Sequence, residues 1–390
     1  MHIVDISALY SPTGGGIRTY TRHKLLAAER LGHDLTVVVP GADDSVEHVS
    51  ARARLVNIPS PRFPLDRSYF YFESDAVIHA ALDRLRPDFV EASSPWGSAT
   101  AVAEWSGTAP RALVMHADPL SAWAYRWLEG VVSRKTIDRG FDWFWRHLRR
   151  LDAGFDMVVA ASPSLTSRLA AGGLTHVRTI PMGVEPGIFS PRHRDTALRA
   201  RLLARCELPE SATLLIGVGR FSPEKRWPLV IAGAVAAGYS RPLGLVLVGD
   251  GHGRGPVLRA VGENPHVQLL SPISGRAEMA RLLASADLLV HGASAETFGM
   301  VPAEARASGL PIIAPDEGGA GDQVEPGQGL NFIAGDAASA AMVIGEAIDK
   351  LPSLRAATLL AAPGVRTMDE HFSELFASYA AIAKGARRAA

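Results

Sequence analysis

The stretch Ala295-Glu-Thr-Phe-Gly-Met-Val-Pro-Ala-Glu-Ala305 joins two local patterns. The apolar run Asp287-Leu-Leu-Val-His291 before it predicts a buried strand. Pro302 suits a first helical turn, where its missing N–H costs nothing. Gly309 and Pro311 then punctuate a helix end. A strand running into a helix is the repeating unit of a parallel α/β sheet. Glu296 falls in the connecting loop and Glu304 in the first helical turn, with seven residues between them. A helix start presents unsatisfied N–H groups, here from Phe298 through Gly299 and Met300 to about Val301, which suit an anion. Two carboxylates repel a phosphate, but they accept paired hydrogen bonds from vicinal hydroxyls. The combination predicts phosphate on the amides and sugar hydroxyls on the glutamates, as a nucleotide-sugar requires. The plainer reading is a helix N-terminus with acids that complement its dipole.

Three more motifs stand in order around this one. Gly219-Arg-Phe-Ser-Pro-Glu-Lys225 follows the apolar run Leu214–Val218, Leu245-Val-Leu-Val-Gly-Asp-Gly251 comes next, and Gly309-Leu-Pro-Ile-Ile-Ala314 closes the series. In order and spacing the four motifs resemble the C-terminal half of retaining GT-B glycosyltransferases of family 4. The match covers about 200 to 335, with a looser echo upstream. The resemblance implies two Rossmann-like βαβ domains whose parallel sheets face a central cleft. It also implies a C-terminal helix that crosses back to the N-terminal domain. The expected domains are 1–190 with the helix 366–385, for the acceptor, and 191–365, for the donor.

Composition agrees with a two-domain soluble globular chain: 390 residues, 47% hydrophobic and 21% charged. The formal net charge is zero, so nothing pulls the chain globally toward nucleic acid. Cys206 is the only cysteine, which excludes an internal disulfide and fits a cytoplasmic compartment. The strand-like Ile3-Val-Asp-Ile6 near the start leads to the expectation of no signal peptide, and no apolar run approaches the ~18 residues of a membrane span.

Strand-like runs alternate with helix-length segments throughout. Gly14-Gly15-Gly16 follows the first strand and precedes a helix from about Ile17 to Arg30. The dinucleotide fingerprint fails here, because Thr19 stands at its third glycine and Pro40-Gly41 ends the second strand where an acid is needed. In family 4 such a glycine loop faces the cleft between domains, and the resemblance assigns Gly15 and Gly16 to donor binding. Tyr69-Phe-Tyr-Phe72 is expected to open a helix running to about Leu85. Arg111-Ala-Leu-Val-Met115 is a buried strand, and His116 at its carboxyl end matches the histidine that family 4 places beside the transferred sugar.

The segment 123–150 holds Trp123, Trp127, Trp143 and Trp145, four of the seven tryptophans, among several arginines. A helical pair with core tryptophans and solvated arginines is one reading. An interfacial helix on anionic lipid is the other, and it implies a peripheral contact at the inner membrane face with a lipid-linked acceptor. The last helix, about 367–383, places Phe372, Leu375, Phe376 and Tyr379 on one face.

Breaking the bond between a sugar and a diphosphate builds charge on the phosphate, which a metal or protein cations must offset. No Asp-any-Asp triplet, the usual metal-diphosphate motif, occurs in the chain. Arg220 and Lys225 supply the alternative and match the family's diphosphate-binding pair. By resemblance Glu304 holds ribose hydroxyls and Glu296 a hydroxyl of the transferred sugar. Gly219, Asp250 and Gly251 border the nucleotide, and the backbone at Ile273 reads the base. Two positions depart from the family: Asp322 stands where a glutamate is common, and Arg226 where a glycine often follows the lysine. The expected activity is retaining, metal-independent transfer of a hexose from a nucleotide-sugar to a hydroxyl of a glycan, a lipid-linked or a small acceptor. His116, Arg220, Lys225 and Glu296 are its catalytic set, and no cofactor is expected. The alternatives are a GT-B epimerase or phosphorylase, or a protein that binds nucleotide-sugars without transfer.

Overall fold

The computed structural model describes residues 1–8, 10, 15–64, 69–116, 118 and 134–389. They form two α/β units. One contains the described residues of 1–118, 134–181 and 368–389, and the other is Met182–Thr367.

The first unit is built on β1 (His2–Ser7), β2 (Asp34–Gly41), β3 (Ser45–His48), β4 (Ala53–Pro59), β5 (Phe89–Ser93), β6 (Arg111–Met115), β7 (Met157–Ala160) and β8 (Val177–Thr179). Their order is β3-β4-β2-β1-β5-β6-β7-β8, parallel except for the β3–β4 pair. The second unit is built on β9 (Thr213–Val218), β10 (Leu243–Val248), β11 (Val267–Leu270), β12 (Leu288–Val290), β13 (Ile312–Pro315) and β14 (Gly329–Phe332). Their order is β11-β10-β9-β12-β13-β14, all parallel. Every residue of β9 and β10 is buried, as a parallel sheet covered on both faces demands. In each unit the chain reverses its direction of winding once, between β1 and β5 and between β9 and β12. Ligands of such sheets bind outside the carboxyl ends of the strands at that reversal.

Some boundaries differ from expectation. The chain crosses between units after Pro181 and after Thr367, not at 190 and 365. The segment 182–190 is tied to the second unit: Val184 N–H donates to Arg366 O at 2.9 Å, and Phe189 is buried. The helix expected from Tyr69 begins at Asp75, after an extended Ser74. Phe70 instead bridges Arg62 in antiparallel fashion, and Phe63 N–H donates to Tyr69 O at 2.8 Å. A run of aromatics favours extended backbone over helix. The first helix is Gly15–Arg30, two residues longer than expected.

Of the segment 123–150, the helices Arg134–Gly140 and Asp142–Gly154 are described, whereas Trp123 and Trp127 lie outside the described residues. Trp145 is in the core, Trp143 is 53% exposed, and both Arg146 and Arg149 pair with Asp142. No helix among the described residues is long and apolar enough to cross a membrane. The last helix, Met368–Ala389, belongs to the first unit and buries Phe372, Leu375, Phe376 and Tyr379 as its periodicity requires. Phe89 of β5 stacks on Tyr379 with ring centroids 4.2 Å apart.

Candidate active site

At the reversal of the second sheet, the loops after β9 and β12 bring one cation to one carboxylate. The β9 loop is welded to its neighbour. Phe221 is fully buried, its N–H donates to Asp250 O at 2.9 Å, and its carbonyl accepts from Gly253 N–H at 2.6 Å. Gly219 N–H donates to Val248 O at 3.0 Å. A short 3-10 turn, Pro223–Lys225, ends at Arg226, whose left-handed φ of 49° starts the helix Trp227–Gly238. Trp227 is buried and its indole N–H donates to Arg220 O at 2.9 Å, so the backbone at Arg220 is fixed while its side chain is exposed. Lys225 forms an ion pair with Glu296.

Glu296 is held from three sides. Its carbonyl accepts from Gly319 N–H at 2.7 Å. Its carboxylate meets Lys225, and His291 Nε2 lies 3.4 Å from Oε1, a long electrostatic contact. Burial opposes ionisation of this carboxyl, but the Lys225 ammonium and His291 override it and hold the pKa far below the usual carboxylate range. His291 itself is 1% exposed, and burial lowers its pKa. Two glycines allow this packing. Gly318 has φ of 74°, and a Cβ there would stand 2.3 Å from Ser294 O. Gly299 has φ of 84°, and its Cβ would stand 2.9 Å from Ala320 Cα.

Gly299 caps the helix Met300–Ala307, so Glu304 lies in its second turn, one turn later than expected. Met300 and Val301 open that helix half-buried, and Phe298 is buried with its carbonyl accepting from Gln323 Nε2 at 3.1 Å. Glu304 is 4% exposed and accepts from Arg276 Nη2 at 2.6 Å. Burial raises its pKa, against the opposing Arg276 charge. Arg276 also donates from Nε to Glu185 Oε2 at 3.0 Å, and its guanidinium lies 4.8 Å from the Phe189 ring centre.

Two family models match the chain: "Glycosyltransferase Family 4" over residues 14–187 and "Glycosyl transferases group 1" over residues 201–357. A GDP-mannose-dependent α-mannosyltransferase of Mycobacterium tuberculosis is 30% identical, over 84% of this chain and 82% of its own length. The chain belongs to the GT-B glycosyltransferases of family 4. It is similar as well to a GDP-mannose-dependent α-(1-6)-phosphatidylinositol dimannoside mannosyltransferase of Mycobacterium tuberculosis, at 28% identity over 80% of this chain and 79% of that one. The fold matches the sucrose-phosphate synthase of Thermosynechococcus elongatus, with a TM-score of 0.75 at 19% identity over 98% of both chains.

In this glycosyltransferase the sequence candidates divide between the units. Lys225 and Glu296 meet directly, and Gly219, Asp250 and Gly251 lie on the neighbouring loops, with Asp250 exposed. Ile273 is half-buried three residues before Arg276. Gly15, Gly16 and His116 belong to the first unit. Gly15 opens the first helix, and a Cβ on Gly16 would meet nothing within 4 Å. His116 follows β6 and sits edge-on to Tyr20, with ring centroids 4.8 Å apart. Burial draws its imidazole pKa down to about 4, with Asp5 opposing and Lys24 assisting, so the ring is neutral near pH 7.

Several residues of both sites escaped the sequence reading. His291 had one visible signal, a histidine at the end of a buried strand. Arg276 and Glu185 had none. In the first unit Asp5 and Glu91 are paired neighbours on β1 and β5, at the reversal of that sheet. Fully buried Lys24 donates to Asp5 at 2.9 Å and also to Glu91, while Tyr379 O–H donates to Glu91 at 2.7 Å.

Proposed function

We propose that the chain is a retaining, metal-independent mannosyltransferase that takes GDP-mannose as donor and glycosylates a hydroxyl of a glycan or lipid-linked acceptor. The carrying observation is the Lys225–Glu296 pair at the sheet reversal. A nucleotide-sugar needs a cation at its phosphates and an acceptor of hydroxyl hydrogens at the sugar ring beyond them. Arg220 and Lys225 take the diphosphate, with the amides opening the helix Met300–Ala307. Glu296, kept ionised by Lys225, accepts from the sugar hydroxyls. Glu304 accepts from the ribose. The two mannosyltransferase relatives, both named for GDP-mannose, support the choice of donor.

The acceptor oxygen attacks the anomeric carbon on the face from which the diphosphate leaves. The bond from carbon to phosphate oxygen breaks as the new glycosidic bond forms, and the acceptor proton passes to the departing phosphate. The family resemblance assigns His116 to the sugar, and its neutral ring would not repel developing positive charge. The phosphatidylinositol relative favours a lipid-linked acceptor, and exposed Trp143 and Trp96, both against Phe144, are where the first unit would meet a bilayer. The test is transfer from GDP-mannose with proton NMR on the earliest product. An anomeric configuration matching the donor is expected, and inversion would refute the mechanism.

The two glutamates should separate in calorimetry. Glu304→Ala weakens GDP and GDP-mannose alike by about tenfold or more, the loss of a charged hydrogen-bond acceptor. Glu296→Ala weakens GDP-mannose and leaves GDP within about twofold. The reverse ordering would exchange their roles.

A further inference from the structure

Arg276 holds two carboxylates at once, Glu304 through Nη2 and Glu185 through Nε. The buried Phe189 ring beneath its guanidinium fixes the plane. The two acids therefore stand on one edge of a single guanidinium. We propose that Glu185, positioned by Arg276, reads the Watson–Crick edge of the donor's base and selects guanine. The inference rests on the assignment of Glu304 to the ribose. If that carboxylate takes the ribose hydroxyls, the other acid on the same guanidinium is within reach of the attached base.

A carboxylate on a base edge selects by counting donors. Guanine presents two adjacent donors, N1–H and the 2-amino group, which match the two oxygens of a carboxylate. Uracil presents one N–H flanked by two carbonyls, so one carboxylate oxygen would face a carbonyl. Adenine presents its amino group beside an acceptor nitrogen. Glu185 keeps 26% of its side chain exposed, enough to meet a ligand, whereas buried Glu304 keeps 6%. Arg276 contributes by orientation: with Nε and Nη2 engaged, neither acid can turn without losing a charged hydrogen bond. Arg276 begins the helix Arg276–Ser285, so its backbone is anchored as well.

The experiment is calorimetry of the intact chain with GDP, UDP and inosine diphosphate, which is GDP without the 2-amino group. The wild-type chain is expected to bind GDP about tenfold or more tightly than either of the others, the scale of one bidentate base contact. In Glu185→Gln the amide faces the 2-amino group with a donor of its own. GDP should then fall to the level of inosine diphosphate, while UDP binds at least as tightly as before, because the amide can accept from its N–H and donate to a flanking carbonyl. UDP binding that is not weakened doubles as the folding control. Equal wild-type affinity for GDP and inosine diphosphate would overturn the proposal without any variant. A guanine preference that survives Glu185→Gln would overturn it as well. In both cases GDP binding that is still lost in Glu304→Ala leaves the ribose assignment standing. If the wild-type chain binds no nucleotide, the ribose assignment and this inference fall together.

Discussion

Lys225→Ala is expected to lower kcat/KM by about a hundredfold or more, the scale of a lost transition-state donor. Two effects coincide at this position. The ammonium that would meet the developing phosphate charge disappears. Glu296 also loses the cation that keeps it ionised against burial, so its carboxyl titrates upward and accepts the sugar hydroxyls less well. Lys225→Arg restores charge but not shape, because a planar fork cannot occupy the position of a compact ammonium. It should recover activity only in part. Steady-state rates with GDP-mannose check this, and a Lys225→Ala enzyme within about threefold of wild type would remove Lys225 from the site.

Lys24→Ala is expected to cost about 3–5 kcal/mol of stability, because it strands two buried carboxylates beside each other. Asp5 already has a raised pKa from burial, with Lys24 opposing that rise. Without the ammonium, at least one acid must take up a proton or admit water. Thermal unfolding should shift down by on the order of 10 °C. Removing the surface cation Lys350, which pairs with Glu346 in the open, should leave the transition nearly unmoved. A Lys24→Ala transition within about 2 °C of wild type would show that water already solvates the cluster.

The sequence made the sheets legible because parallel strands buried on both faces read as apolar runs, as in Leu214–Val218 and Leu245–Val248. The loops after them were legible because their glycines and prolines are local signals. Glu304 was misplaced by one turn because the left-handed Gly299, not the pattern of apolar residues, sets where the helix begins. The Lys225–Glu296 pair spans 71 positions and exists only once β9 and β12 lie side by side. Arg276 is a helix-opening arginine like many others until Glu185 and Glu304 converge on it. Lys24 reads as a solvated residue of an amphipathic helix. Its hidden signal was on the strands, where Asp5 and Glu91 interrupt apolar runs that must be buried, and a buried acid demands a partner.

The most direct test is calorimetric titration of GDP and of GDP-mannose into the wild-type chain in excess EDTA. Arg220 and Lys225, rather than a divalent ion, are assigned to the diphosphate, and Glu296 to the sugar. Both ligands should therefore bind without metal, GDP-mannose at least as tightly as GDP, and added magnesium or manganese should change neither affinity by more than about twofold. Binding that vanishes in EDTA and returns with either ion would contradict the account.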